Sequence, residues 1–271
     1  MGRLAGKTAL ILGASSVDNM GQHIARRLMV EGAKVMVSGR KADVLEAFAG
    51  ATGCLWAPCD LTDPGSVEAL VDAAGSRLGG IDIAVNATGW GLLKPFLDTT
   101  GEELDGMIAL QFAGPFRLYQ ALVRKMARSR GGRGGSIIQI SSATATIMLN
   151  DHAAYMGTKA GTDHVIRCVA NEFGLEGIRA NSISPGLTDT PMNADAKQVP
   201  GLFEAFLPGY PLGRWGTSDD VAAAVVFLAE DECFMTGENL QVNGGLTLRR
   251  NPRPDEIAAS IAAASSSPRG A

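Results

Sequence analysis

Tyr155 and Lys159 lie four residues apart and follow Ser142 by thirteen and seventeen positions. Side chains four apart share one face of a helix, so a phenol and an ammonium would stand side by side. A free tyrosine, with a pKa near ~10, is a poor base at neutral pH. A cation one turn away favours the phenolate and brings it toward the working range. A serine hydroxyl nearby can hold the same oxygen that exchanges a proton with the phenol. Such a trio suits proton transfer to or from an alcohol oxygen while a bound cofactor carries out the redox step.

These residues need a scaffold. Ser142 follows an apolar run at 136–141, and Tyr155 opens a helical pattern over 153–173. Further apolar runs bounded by Gly, Pro or Asp fall at 8–12, 34–38, 54–58, 81–86, 179–184 and 239–242, giving seven candidate strands. Helical patterns at 21–30, 41–48, 64–78, 101–128, 153–173 and 218–229 alternate with them. Short apolar strands without alternation require a parallel sheet covered on both faces. With right-handed crossovers this predicts one α/β domain over 1–250, a Rossmann-like, doubly wound parallel sheet of seven strands. Ligands bind beyond the carboxyl ends of such strands, where Ser142 is expected. The stretch 186–212 is long for a connection and reads as a substrate loop or lid. The Ala/Ser/Pro-rich 251–271 reads as a loose tail.

The first strand runs into Gly13, and Gly21 opens the following helix. Unpaired N–H groups and the positive end of the helix dipole there would meet a pyrophosphate. The G-x7-G spacing departs from G-x-G-x-x-G. At the end of the second strand, where an acid would hold the ribose 2′-hydroxyl of NAD, the chain carries Ser38, Gly39 and Arg40. A guanidinium pairs bidentately with a 2′-phosphate, so NADP(H) is expected over NAD(H).

Composition narrows the partners. The 271 residues are 46% apolar and 19% charged with a net charge of −4, which suits a globular chain and argues against nucleic acid. A local basic run, Arg124, Lys125, Arg128, Arg130 and Arg133, reads as a helix C-terminus. No apolar run approaches the ~20 residues of a membrane span, and no export signal is evident, so a cytoplasmic protein with reduced thiols is expected. His23, His152 and His164 lack ligand spacing, and no metal is expected. Trp90, Met148, Leu149, Met192, Phe203, Phe206 and Trp215 fall in loops near the presumed site. They would line an apolar substrate pocket or pack the lid. His152, three before Tyr155, is a weaker candidate for touching substrate.

On these motifs, over about 4–247, the chain resembles the short-chain dehydrogenases/reductases. The matching residues are the Gly13 to Gly21 loop, Cys59 to Thr62, Asn86 to Gly89, Ser142/Tyr155/Lys159, and Asn181 through Met192. The resemblance implies Tyr155 as acid/base, Lys159 also on the nicotinamide ribose and Ser142 on the substrate oxygen. It implies cofactor contacts from Gly13, Ser15, Asn19, Met20, Gly21 and Arg40, then Asp60 and Leu61 near the adenine. Asn86, Ala87 and Gly89 would lie beside the cofactor, with Pro185, Gly186, Thr188 and Thr190 along the nicotinamide. It also implies a homotetramer built on the two long helices. Two departures stand out. The cofactor loop has the length seen in divergent enoyl reductases, with Asn19 where those carry serine. Those enzymes space Tyr and Lys seven apart, and Thr162 occupies that place here, which favours ketone chemistry. Gln111 stands where the family has a catalytic asparagine in a proton relay. It is retained as a catalytic candidate, the alternative being a polar side chain that satisfies its own helix. The expected function is an NADP(H)-dependent oxidoreductase interconverting a ketone and a secondary alcohol on an apolar small molecule. The alternatives are a 3-oxoacyl carrier-protein reductase and a non-catalytic NADP-sensing binding protein.

Overall fold

The strand Thr8–Leu12 (β1) is buried at every position. Its alternate side chains serve two cores: Leu10 and Leu12 face one, Ala9 and Ile11 the other. In a computed structural model of the chain, which describes residues 2–266, this two-sided burial repeats across a sheet. The further strands are Lys34–Gly39 (β2), Leu55–Pro58 (β3), Ile83–Asn86 (β4), Gly135–Ile140 (β5) and Ile178–Pro185 (β6). Thr188–Asp189 (β7) and Gly216–Thr217 (β8) form a separate parallel pair, and Asn239–Val242 (β9) closes the main sheet. The seven strands run parallel in the order β3-β2-β1-β4-β5-β6-β9. The order reverses between β1 and β4, which opens a crevice at their carboxyl ends.

The helices are Met20–Val30 (α1), Ala42–Thr52 (α2), Pro64–Leu78 (α3), Gly101–Ile108 (α4), Gly114–Met126 (α5), Ala153–Phe173 (α6), Ala194–Lys197 (α7), Ser218–Ala229 (α8) and Pro254–Ser266 (α9). Residues of α3, α5 and α6 fill the core on one face of the sheet, and those of α1, α2 and α8 the other. Local sequence sets several boundaries. Asp63 caps α3 ahead of Pro64, and a capping box of Thr100 and Glu103 starts α4. No helix among the described residues is long and apolar enough to cross a membrane.

Two expectations change. The helix predicted over 101–128 is interrupted by a wide turn, Ala109–Ala113, in which Gly114 N–H reaches back to Ala109. Pro115 has no N–H to give the carbonyl four residues before it, that of Gln111. The Thr162 hydroxyl takes that carbonyl instead, at 2.6 Å. The segment expected as a loose tail is ordered as α9 through Ser266. Pro254 at its start, Asp255 and Glu256 in its first turn and a run of alanines favour a helix. Ser260 Oγ donates to the Gly201 carbonyl at 2.7 Å, and Ile257 packs with Phe206, Tyr210 and Leu246. Residues 267–271 of the expected tail lie outside the described residues.

Candidate active site

A cleft of about 530 Å³ runs along the carboxyl ends of the central strands. At one end the chain turns from β1 into α1. Gly13 has φ +94°, and a Cβ there would sit 2.6 Å from the Ala87 carbonyl. A Cβ on Gly21 would meet Gly13 O at 2.5 Å, so both glycines are required by close backbone approach. Asn19 caps α1 through Gln22 N–H at 3.1 Å, and its amide donates to Gly13 O at 2.7 Å. Gln22, absent from the sequence candidates, staples the same loop by donating to Ala14 O at 3.1 Å and accepting from Asp18 N–H at 2.9 Å. The N–H groups of Met20 and Gly21 open the helix without a protein acceptor among the described residues. These free donors and the missing side chains of Gly13 and Gly21 fit the pyrophosphate of a dinucleotide.

Ser15 and Arg40 share the wall at this end, where Gly39 abuts Ser15 so closely that a Cβ would lie 2.6 Å from its hydroxyl. Leu61 is on the wall but Asp60 is not. Asp60 accepts Thr62 Oγ1 and N–H at 2.7 and 2.9 Å. These bonds, helped by the Arg40 charge, hold its carboxyl below the usual range.

Toward the other end, Ala87, Gly89, Pro185, Gly186, Thr188 and Thr190 line the cleft. Asn86 lies beneath them, 2% exposed. Its amide donates to Gln139 Oε1 at 2.8 Å, and its carbonyl oxygen accepts Thr88 Oγ1 at 2.7 Å. Gln139 takes the Tyr119 hydroxyl as well and donates to Ile140 O at 2.7 Å. The same Ile140 carbonyl receives Lys159 Nζ at 2.9 Å, so a hydrogen-bonded network links Asn86 to Lys159.

Ser142, Tyr155 and Lys159 come together on the cleft wall. The Ser142 hydroxyl lies 2.8 Å from Thr144 Oγ1 and shares the cleft wall with the Tyr155 phenol. Lys159 Nζ sits 5.6 Å from the centre of the Tyr155 ring. His152 stacks on the same ring at 4.3 Å, its Nδ1 2.6 Å from the Leu92 carbonyl. His152 is off the cleft wall and braces the tyrosine. The electrostatics depart from the sequence argument. Burial pushes the phenol up, the nearby Ser142 hydroxyl pulls it down, and the Asp163 carboxylate adds to the rise. Burial lowers the Lys159 ammonium to about 8, with Asp163 acting against that. The cation points to Ile140 O, and the downward pull on the phenol comes from the serine.

Gln111 is likewise off the wall, 2% exposed in the wide turn. Its Oε1 accepts Trp90 N–H at 3.1 Å and its amide donates to Thr158 Oγ1 at 3.3 Å. The apolar candidates divide. Trp90 and Met192 line the cleft, and Met148 is exposed. Phe203 packs edge-on to Trp215 at 5.3 Å, while Phe206 and Leu149 join a small core with Tyr210 and Leu246. Gln22, Gln139 and Asp163 escaped the sequence reading because their partners are distant backbone or buried polar groups. Only Asp163 carried a signal, its four-residue spacing from Lys159.

The fold and the cleft together define a dinucleotide-dependent oxidoreductase. Residues 13–247 match the protein family described as enoyl-(acyl carrier protein) reductase. The chain is 34% identical over 253 residues to D-threitol dehydrogenase of Mycolicibacterium smegmatis, covering 91% of this chain and 95% of the relative. It is also 34% identical over 247 residues to 3-oxoacyl-[acyl-carrier-protein] reductase of Escherichia coli, covering 89% and 97%. The structure of a short-chain type dehydrogenase/reductase from Mycobacterium ulcerans superposes with a TM-score of 0.87 at 28% identity, covering 94% of this chain and 98% of that one. The chain belongs to the short-chain dehydrogenases/reductases, oxidoreductases that act on CH–OH groups with a nicotinamide cofactor.

Proposed function

We propose that this enzyme interconverts a ketone and a secondary alcohol on an apolar small molecule, using NADP(H). The observation that carries this reading is the convergence of Ser142, Tyr155 and Lys159 on the wall of the dinucleotide cleft. When bound, the cofactor supplies or accepts hydride at the substrate carbon. Ser142 and Tyr155 hold the substrate oxygen. The phenol gives that oxygen a proton during reduction and takes it back during oxidation. Lys159 supplies positive charge behind the phenol, and Gln111 acts by fixing Trp90 of the cleft wall and the buried Thr158. Thr162, seven residues after Tyr155, spends its hydroxyl on Gln111 O and Thr158 O, which supports carbonyl over enoyl chemistry.

The preference for NADP(H) rests on Arg40 beside Ser15 with no acid at the end of β2. An apolar substrate is supported by Trp90 and Met192 on the wall and by exposed Leu93, Phe96 and Leu97 on the loop that follows β4. A carrier-protein substrate is less well supported. In the basic run Lys125 pairs with Asp72 at 3.0 Å and Arg133 with Asp82 at 2.9 Å. That run leads into the amino end of β5, away from the cleft. A homotetramer is supported by Leu104, Ile108, Phe112 and Phe116, exposed at four-residue spacing along α4, the wide turn and α5. Free thiols at all four cysteines suit a cytoplasmic enzyme.

The test is a panel of apolar ketones and secondary alcohols followed at the NADPH absorbance band, with Tyr155→Phe as control. Turnover that depends on Tyr155 is expected. Full activity in Tyr155→Phe overturns the mechanism, and cofactor binding without any turnover favours the sensing alternative.

A further inference from the structure

Among the described residues, Lys159 and Asp163 are the charged side chains that are buried, at 3% and 4% exposure. They stand one turn apart on α6, on the face that begins with Tyr155. A charge removed from water has to be compensated. Lys159 donates its hydrogen bond to a neutral group, the Ile140 carbonyl. The acid beside it is Asp163. Its Oδ2 accepts Ser141 Oγ at 2.7 Å and Asn239 Nδ2 at 2.8 Å, while its Oδ1 is buried without a hydrogen-bond partner among the described residues. Neutral donors on one oxygen leave most of the carboxylate's charge to be balanced by a cation. Arg167, a further turn along the helix, adds a second positive field. The other titratable groups that feel Asp163 are the phenols of Tyr155 and Tyr119, and the neighbouring strands contribute the neutral Ser182 and Asn239.

We propose that Asp163 is a positioning residue of the reaction: the buried counter-charge that keeps Lys159 an ammonium. Through Ser141 it also ties the segment carrying Ser142 to α6. The inference rests on the proposed roles of Tyr155 and Lys159. Burial drives Lys159 toward the neutral amine and Asp163 opposes that, so removing the carboxylate costs the amine its proton closer to neutral pH. The arrangement has a counter-effect, because the same carboxylate raises the phenol. It holds the cation in place at the expense of some phenol acidity.

The test is Asp163→Asn, which keeps the shape and can still accept from Ser141. In the cofactor-free full chain with 13C-labelled lysine, the Lys159 resonance is assigned by its loss in Lys159→Met. Its titration midpoint is expected to fall by about one pH unit or more in Asp163→Asn. The alkaline limb of kcat/KM is expected to move down with it. An unchanged lysine midpoint overturns the proposal, including the case where kcat falls uniformly at every pH, which marks a merely structural role. Should Asp163→Asn not fold, the reciprocal titration decides. In Lys159→Met with 13C-labelled aspartate, the Asp163 midpoint is expected to rise, and an unchanged midpoint overturns the coupling. Both titrations need no substrate, so they stand apart from the assignment of the ketone.

Discussion

Lys159 Nζ donates to the Ile140 carbonyl at 2.9 Å, joining the first turns of α6 to the last residue of β5. Two residues further along the chain is Ser142. One hydrogen bond therefore fixes the serine's strand against the helix that carries the tyrosine.

Lysine burial has a sign that stability measurements can read. The Lys159 pKa is lowered from 10.5 to about 8, so between those values the unfolded chain binds more protons than the folded one. Stability contributed by this group therefore rises with pH across that window. Wild type is expected to gain thermal stability relative to Lys159→Met as pH rises from about 8 toward 10.5. Parallel curves for the two proteins, measured by calorimetry, would contradict the burial argument.

Arg40→Ala is expected to weaken NADPH while leaving NADH little changed. A charge-assisted hydrogen bond is worth roughly 1.5–3 kcal/mol, or roughly 10- to 150-fold in Kd. Fluorescence titration with both cofactors measures it. Equal losses for the two would remove the 2′-phosphate from the argument.

Gly13→Ala places a methyl where the Ala87 carbonyl already lies 2.6 Å away, at a φ of +94°. Strained left-handed backbone alone costs about 1–3 kcal/mol, and the clash adds to it. A lowered thermal midpoint and loss of dinucleotide binding are expected. A variant as stable and as tightly binding as wild type would show that the turn does not need this approach.

Glu103 accepts Lys94 Nζ at 2.7 Å and Thr100 N–H at 2.9 Å, which clips the loop after β4 to α4. The lysine first and the threonine second hold its carboxyl at about 2 instead of 4.5. Because the folded value is depressed, the stabilisation is present above 4.5 and is lost as pH falls to about 2. Glu103→Gln should therefore melt below wild type at pH 6, with the gap closing through that acid window. A gap independent of pH would assign the effect to packing.

How far the sequence reached can be judged residue by residue. Seven apolar segments, bounded by turn residues and alternating with helices, determined the doubly wound sheet, because strands buried on both faces need apolar side chains throughout. Tyr155 and Lys159 were legible as a pair because four-residue spacing fixes their relation within one helix. The register that sets Asn86 beside Gln139 and leaves Gln111 stapled to Trp90 was decided only in three dimensions. So was the burial of Asp163, since one chain position says nothing of the strands that cover it. The direction of the phenol's shift also belongs to the tertiary structure. Spacing tells which charges share a helix face, but desolvation depends on everything packed around them, and here it outweighs the pull of the neighbouring serine.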